Sequence, residues 1–227
     1  MASTKKSEPA SSSVLRGRFI VLDGPDGAGK STQVKLLCEH LKAQGVRVLS
    51  LREPGGTKAG EEIRKLLLEH RGVALSPLAE AFLFQAARAQ LVEEVIRPAL
   101  ADGTWIVCDR FTLSTLVYQG QSGRIDIPAL SEIATGGLRP DRYIVLWTNA
   151  QTGAGRRTQR GVADRMEAKG EEFMRKVAAF FKKEAGRQPH KYRLLDGSGS
   201  IEQVQARIWV EVQALLKKPS AKTRTRR

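Results

Sequence analysis

The amino-acid sequence predicts an α/β fold in which a five-stranded parallel sheet is flanked by helices on both faces. Three observations carry this expectation. Short β-rich apolar runs alternate with stretches of helical periodicity, a glycine-rich turn joins the first strand directly to a helix, and charged residues gather where the strands end. In such sheets the crossovers are right-handed, and ligands bind beyond the carboxyl ends of the strands.

In chain order the five runs are Phe19–Leu22, Val46–Leu51, Trp105–Cys108, Tyr143–Trp147 and Tyr192–Leu195. Mainly β-branched, aromatic or leucine, they fit strands buried on both faces. Val34, Leu37, Cys38 and Leu41 recur at helical spacing after the first run, and Ile201, Val204, Ile208, Val212 and Leu215 after the last. Longer helical stretches cover about Leu78–Leu100 and Glu171–Ala185. Four strand exits are polar: Asp23 through Lys30, Arg52-Glu53-Pro54-Gly55-Gly56, Asp109-Arg110, and the segment leading into Arg156, Arg157 and Arg160. One polar site at one edge of the sheet accounts for all four.

The chain has 227 residues, 41% of them hydrophobic, enough for one domain with a substantial core over residues 17–216. Residues 1–16, rich in Ser, Ala, Lys and Pro, and residues 217–227 (KKPSAKTRTRR) are expected to be disordered tails. The formal net charge is +14. Six basic and no acidic side chains fall in residues 217–227, and three basic ones against Glu8 in residues 1–16, so 29 basic stand against 23 acidic in the body. A mildly basic body suits a phosphate-rich small molecule, whereas the basic tail leaves room for weak nucleic-acid contact. No apolar stretch reaches membrane-spanning length and the opening residues lack the apolar core of a secretory signal, so a cytoplasmic protein is expected. Cys38, Cys108, His40, His70 and His190 are scattered, which excludes a disulfide framework and zinc-ligand spacing.

Gly24-Pro25-Asp26-Gly27-Ala28-Gly29-Lys30-Ser31, followed by Thr32, matches the phosphate-loop pattern in its required setting, strand before and helix after. The glycines let backbone N–H groups approach phosphate oxygens, and the helix N-terminus favours an anion. Lys30 would bridge the β- and γ-phosphates of ATP, and the Ser31 hydroxyl would ligate Mg²⁺. Asp109, ending an apolar strand, needs a partner, for which Mg²⁺ or a structural pairing with Arg110 is available; Arg110 otherwise suits a monophosphate. The guanine-reading Asn-Lys-x-Asp of switch GTPases is missing. Arg156-Arg157-Thr158-Gln159-Arg160 fits either a mobile lid over about residues 153–168 or a solvated helix face.

With these residues in view, the chain resembles the bacterial thymidylate kinases over about residues 17–216. The matching segments are FIVLDGPDGAGKSTQ, LREPGGTKAGEEIRKLLLE, FLFQAARAQLVEEVIRPAL, GTWIVCDRFTLSTLVYQG, LRPD and RGVADRMEAKGEEF. The resemblance implies the P-loop kinase fold with a short arginine-rich lid, commonly a homodimer, using ATP and Mg²⁺ to phosphorylate dTMP. It makes Asp26 the group that holds the acceptor's 3′-hydroxyl, and Arg52, Arg64 and Arg110 acceptor-side arginines. Phe84 would stack on thymine and Arg88, on the same helix face, would donate to its O4. Ser114, Thr115 and Gln119 fall in the segment that reads base and sugar, and Tyr118 would crowd the 2′ position. Glu53 either positions an arginine or supports the metal. Because the phosphate loop carries no arginine, the lid would supply Arg156 and Arg160, which complete a catalytic set with Lys30 and Arg110. Two departures stand out: Leu146-Trp147-Thr148 replaces the usual Leu-Asp-Val, and Gly153 and Gly155 weaken the helix that follows. A kinase for another nucleoside monophosphate and a non-catalytic nucleotide binder remain as other readings.

Overall fold

The structure, a computed structural model, describes residues 17–69, 72–148, 153, 155, 165–166 and 169–217. Five strands, β1 (Phe19–Asp23), β2 (Val48–Arg52), β3 (Trp105–Asp109), β4 (Arg142–Trp147) and β5 (Arg193–Asp196), form one sheet in the order β2-β3-β1-β4-β5. Every neighbouring pair is parallel. The register sets Arg52 beside Asp109, Asp109 beside Leu22, and Asp23 beside Val145. The exits of β2, β3 and β1 therefore lie in a row, which is the polar edge expected from their sequences.

The described helices are α1 (Lys30–Ala43), α2 (Lys58–Arg64), α3 (Pro77–Leu91), α4 (Arg97–Ala101), α5 (Thr112–Gln119), α6 (Ile127–Thr135), α7 (Glu171–Arg187) and α8 (Ile201–Leu216). Alternation along β1 divides the core in two. Phe19 and Val21 face α3, α5 and α7 through Leu91, Phe111, Val117, Val177 and Phe181. Ile20 and Leu22 face α1 and α8 through Val34, Leu37, Leu41, Val204 and Ile208. Phe111 packs edge-on to Phe19 with ring centroids 5.0 Å apart, a geometry worth about 0.5–1.5 kcal/mol beyond its buried area.

Two strands begin later than their sequences suggest. The N–H of Val46 completes the end of α1 on Leu41 O (3.1 Å) after Gly45, and the N–H of Tyr192 bonds Gln188 O (2.9 Å), so both residues close the preceding turn. The periodic stretch Leu78–Leu100 is also not one regular helix. A π-helical turn, Val92–Ile96, separates α3 from α4, just before Pro98, which has no N–H for the preceding turn.

Caps distinguish the helices. Thr57, Ser76, Asp126 and Ser200 each accept the backbone N–H three residues on, at the starts of α2, α3, α6 and α8, a contribution of about 1 kcal/mol each. By contrast α1 starts at Gly29 with no side-chain cap and no acid in its first turn. Its orphan N–H groups remain available to an anion. The tail readings for residues 1–16 and 218–227 lie outside the described residues, as do Arg156, Arg160 and most of the expected lid. No described helix is long and apolar enough to cross a membrane.

Candidate active site

The phosphate loop is fixed by close backbone approaches. At Gly24 a Cβ would sit 2.1 Å from Leu146 O, and at Gly27 2.3 Å from Gly153 O. Both glycines have positive φ, so the loop needs their small size and their conformational range. The second contact gives Gly153 a role beyond weakening a helix, since its backbone lies directly on the loop. A cavity of about 350 Å³ runs from Gly27–Gln33 to Gly197–Val204, past the exit of β5.

Lys30, 6% exposed, donates from Nζ to Pro25 O at 2.9 Å. Burial, and then repulsion from Arg110, lowers its pKa to about 8 against the attraction of Asp26, Asp109 and Asp23. The unfolded chain binds the extra proton between about 8 and its ordinary value, so stability should rise with pH across that window, the penalty being complete below it. A bound triphosphate would restore the ammonium. Calorimetry above pH 8 in buffers of different ionisation enthalpy should therefore show proton uptake on ATP binding, absent in Lys30→Ala; equal uptake in both would assign the titration elsewhere.

A second cavity, of about 310 Å³, meets the first at Lys30 and Ser31. It brings together every acceptor-side residue expected from the sequence, from Asp26, Arg52 and Arg64 to Tyr118 and Gln119. Arg110 lines it. Alone among described non-glycine residues it has positive φ, 71°, a conformation costing about 1–3 kcal/mol that the surroundings must hold. They do so through Nη1, which donates to Ser114 Oγ (2.9 Å) and Gly24 O (3.1 Å), and Nη2, which donates to Asp26 Oδ1. Tyr118 OH donates to Asp26 Oδ2 at 2.6 Å, and burial keeps its proton well above the usual phenol range. Arg110 thus pairs with Asp26; the pairing with Asp109 weighed from sequence is not found.

Asp23, which received no role from its sequence, organises this centre. Fully buried, it accepts the N–H of Gly24 (2.9 Å), Phe111 (3.3 Å) and Ser114 (3.1 Å), with Ser114 Oγ (2.6 Å) and Tyr143 OH (2.7 Å). Its carboxylate caps α5 across space, at a helix start that lacks a side-chain cap of its own.

At the far end Arg88 is 2% exposed and held on three sides. Nε donates to Glu53 Oε2 at 2.8 Å and Nη2 to the same oxygen at 2.5 Å, while Nη1 donates to Gln85 Oε1 (2.8 Å) and Nη2 to Thr115 Oγ1 (3.0 Å). Nη1 makes one hydrogen bond among the described residues, so its second hydrogen is without a described partner. Of the two roles open for Glu53, the geometry favours positioning an arginine. Burial, against the pull of Arg88, raises Glu53 to about 7, and its Oε1 has no donor. Half-buried Phe84 lines the same cavity. Arg64 donates from Nη1 to Pro54 O (2.8 Å), and exposed Arg52 pairs with Glu61 (3.2 Å).

Ser31 Oγ donates to Asp109 Oδ2 at 2.6 Å, and Asp109 Oδ1 is buried with no donor. A hydroxyl beside an undersatisfied carboxylate suits a hard divalent cation that keeps most of its ligands as water and phosphate. Among the described residues no group of three or more His, Cys, Asp or Glu is placed to hold a metal ion. At the exit of β4 the departure Trp147-Thr148 is packed: Lys182 Nζ lies 4.2 Å over the Trp147 ring, and Gly197 N–H bonds Trp147 O at 2.7 Å.

A parallel sheet carrying a phosphate loop, with a second, arginine-lined cavity opening on the same lysine, defines the class of P-loop phosphotransferases. Comparison with known proteins narrows it. The sequence profile for thymidylate kinase matches residues 22–208. The chain is 43% identical to the thymidylate kinase of Rhodopseudomonas palustris strain BisB18, over 88% of this chain and 90% of that protein. It is 45% identical to that of Pelotomaculum thermopropionicum, over 81% and 87%, and 44% identical to that of Pseudomonas syringae pv. syringae, over 85% and 93%. The chain belongs to the thymidylate kinase family.

Proposed function

We propose that the chain transfers the γ-phosphoryl group of ATP to dTMP, giving dTDP and ADP, a cytoplasmic step toward dTTP. The observation that carries this reading is the meeting of two cavities at Lys30 and Ser31, one walled by phosphate-loop backbone, the other by arginines, an aromatic ring and amide or hydroxyl side chains. Residues from Gly24 to Thr32 hold the ATP phosphates through backbone N–H groups. A phosphate oxygen of dTMP attacks the γ-phosphorus, and the bond from that phosphorus to the β–γ bridging oxygen breaks as ADP leaves. Lys30 neutralises charge on the oxygens in transit. Mg²⁺ would be held by Ser31 and Asp109 and would supply further charge neutralisation on the phosphates.

On the acceptor side Arg110, Arg52 and Arg64 meet the monophosphate and Asp26 the 3′-hydroxyl. Phe84 stacks on the base, and the second Nη1 hydrogen of Arg88 meets O4, with Thr115 and Gln119 at the base edge. The exposed side chains Leu78 and Phe82, four apart on α3, support a homodimer through that face.

Asp26→Ala tests the acceptor half. It is expected to raise KM for dTMP about ten- to a hundredfold, because it removes both a sugar contact and the anchor of Arg110, while KM for ATP changes little. Equal losses for both substrates in steady-state kinetics would contradict this division of labour.

A further inference from the structure

Glu80 has no role in the transfer described above, yet three side chains converge on it. It lies on α3 four residues before Phe84 and eight before Arg88, on the helix face that borders the acceptor cavity. At 5% exposure it accepts from Gln119 Nε2 (2.9 Å), at the end of α5, and from Lys169 Nζ (3.5 Å), and it forms an ion pair with Arg165 Nη1 (3.0 Å). Arg165 and Lys169 follow the arginine-rich segment 156–160. Arg165 is held further by its backbone N–H on Leu68 O (3.2 Å) and by Nη1 on Leu67 O (3.3 Å), and its neighbour Met166 lines the acceptor cavity.

We infer that Glu80 is a positioning residue that fixes the hydrogen-bond polarity of Gln119 toward the acceptor base and ties this base reader to the stem of the arginine-rich segment. The inference rests on the assignment of the cavity to dTMP. Flanked by two cations, the Glu80 carboxylate is an acceptor, so Gln119 must turn its NH₂ toward it and keep its carbonyl for another partner. Gln119 Oε1 is indeed buried and without a donor in the structure. A pyrimidine with an N–H at ring position 3, as in thymine, supplies that donor. Cytosine has a lone pair there, and two acceptors would face each other with the cost of an unpaired buried group. The same carboxylate holds Arg165, so the reader and the stem share one anchor.

The test is Glu80→Gln, which keeps the shape but lets the new amide donate to Gln119 Oε1 and allow the reader to flip. The ratio of kcat/KM for dTMP to that for dCMP is expected to fall about tenfold or more, with KM for ATP unchanged. In a Gln119→Leu background the same substitution should alter that ratio by less than about twofold, since the effect passes through Gln119. A folded Glu80→Gln with the wild-type ratio, or independent additive effects of the two substitutions, would overturn the inference. Should Glu80→Gln fail to fold, Gln119→Leu alone carries the test: a lowered ratio supports the reader's role, and an unchanged one removes it. A wild-type chain inactive on dTMP would remove the cavity assignment itself; an active one with an unaltered ratio in the variant removes only the part given to Glu80.

Discussion

Lys30→Ala is expected to lower kcat by about a thousandfold or more, the scale set by losing a charge aimed at a transferring phosphoryl group. The fold should survive. The lysine belongs to neither core cluster, its side chain makes one hydrogen bond among the described residues, to Pro25 O, and burial already penalises its charge below pH 8. Removing it should therefore leave thermal stability at pH 7 unchanged or raised, the trade between stability and function found at strained sites. Steady-state kinetics with circular dichroism decides the matter: a variant that is inactive because it is unfolded would show the lysine to be structural, and a folded variant with near-normal kcat would take it out of the reaction.

The second large effect is expected at Arg160. No arginine lies between Gly24 and Gly29, and Arg110, anchored on Asp26, Ser114 and Gly24 O, is assigned to the acceptor monophosphate in the proposed reaction. Another cation must meet the developing charge. The ends of the intervening segment are tied to the site, Gly153 against Gly27 and Arg165 to Glu80. Arg156 and Arg160 fall between these two ties. An arginine supplied by a neighbouring element is worth about 10³–10⁵ in rate in related enzymes. Arg160→Ala, and to a lesser degree Arg156→Ala, should lower kcat by at least about a hundredfold with a much smaller change in KM for dTMP, as for an interaction made mainly in the transition state. Near-normal kcat in both would move the catalytic arginine elsewhere.

What the sequence made legible follows from the range of the interactions. The strands and the long helices rest on periodicity within ten to twenty residues, and each appears within a few residues of its expected place. The phosphate loop is likewise local, a strand, a turn and a helix in immediate succession. The π-helical turn Val92–Ile96 was not legible, because one extra residue in a turn leaves an apolar helix apolar. Helix α6 lies outside the helical stretches expected from periodicity, although Asp126, Pro128 and Gly136 mark its two ends. Asp23 and Glu80 were unreadable for another reason. The donors of Asp23 include Ser114 and Tyr143, and those of Glu80 include Gln119 and Arg165, and only the fold brings them together. An acid closing a buried strand before a glycine turn was the one available signal for Asp23. For Arg88 the sequence indicated the helix face but not the clamp of Glu53, Gln85 and Thr115 that fixes its plane.

The central claim is that two anions, ATP and a thymine nucleotide, meet at Lys30 and Ser31 and exchange a phosphoryl group there. A coupled assay of ADP release, run with ATP and Mg²⁺ in the presence and absence of dTMP and with purine monophosphates and dCMP as competing acceptors, tests it directly. The account predicts ADP release that depends on dTMP and prefers it to every other acceptor; release indifferent to the acceptor, or greater with a purine monophosphate, would contradict it.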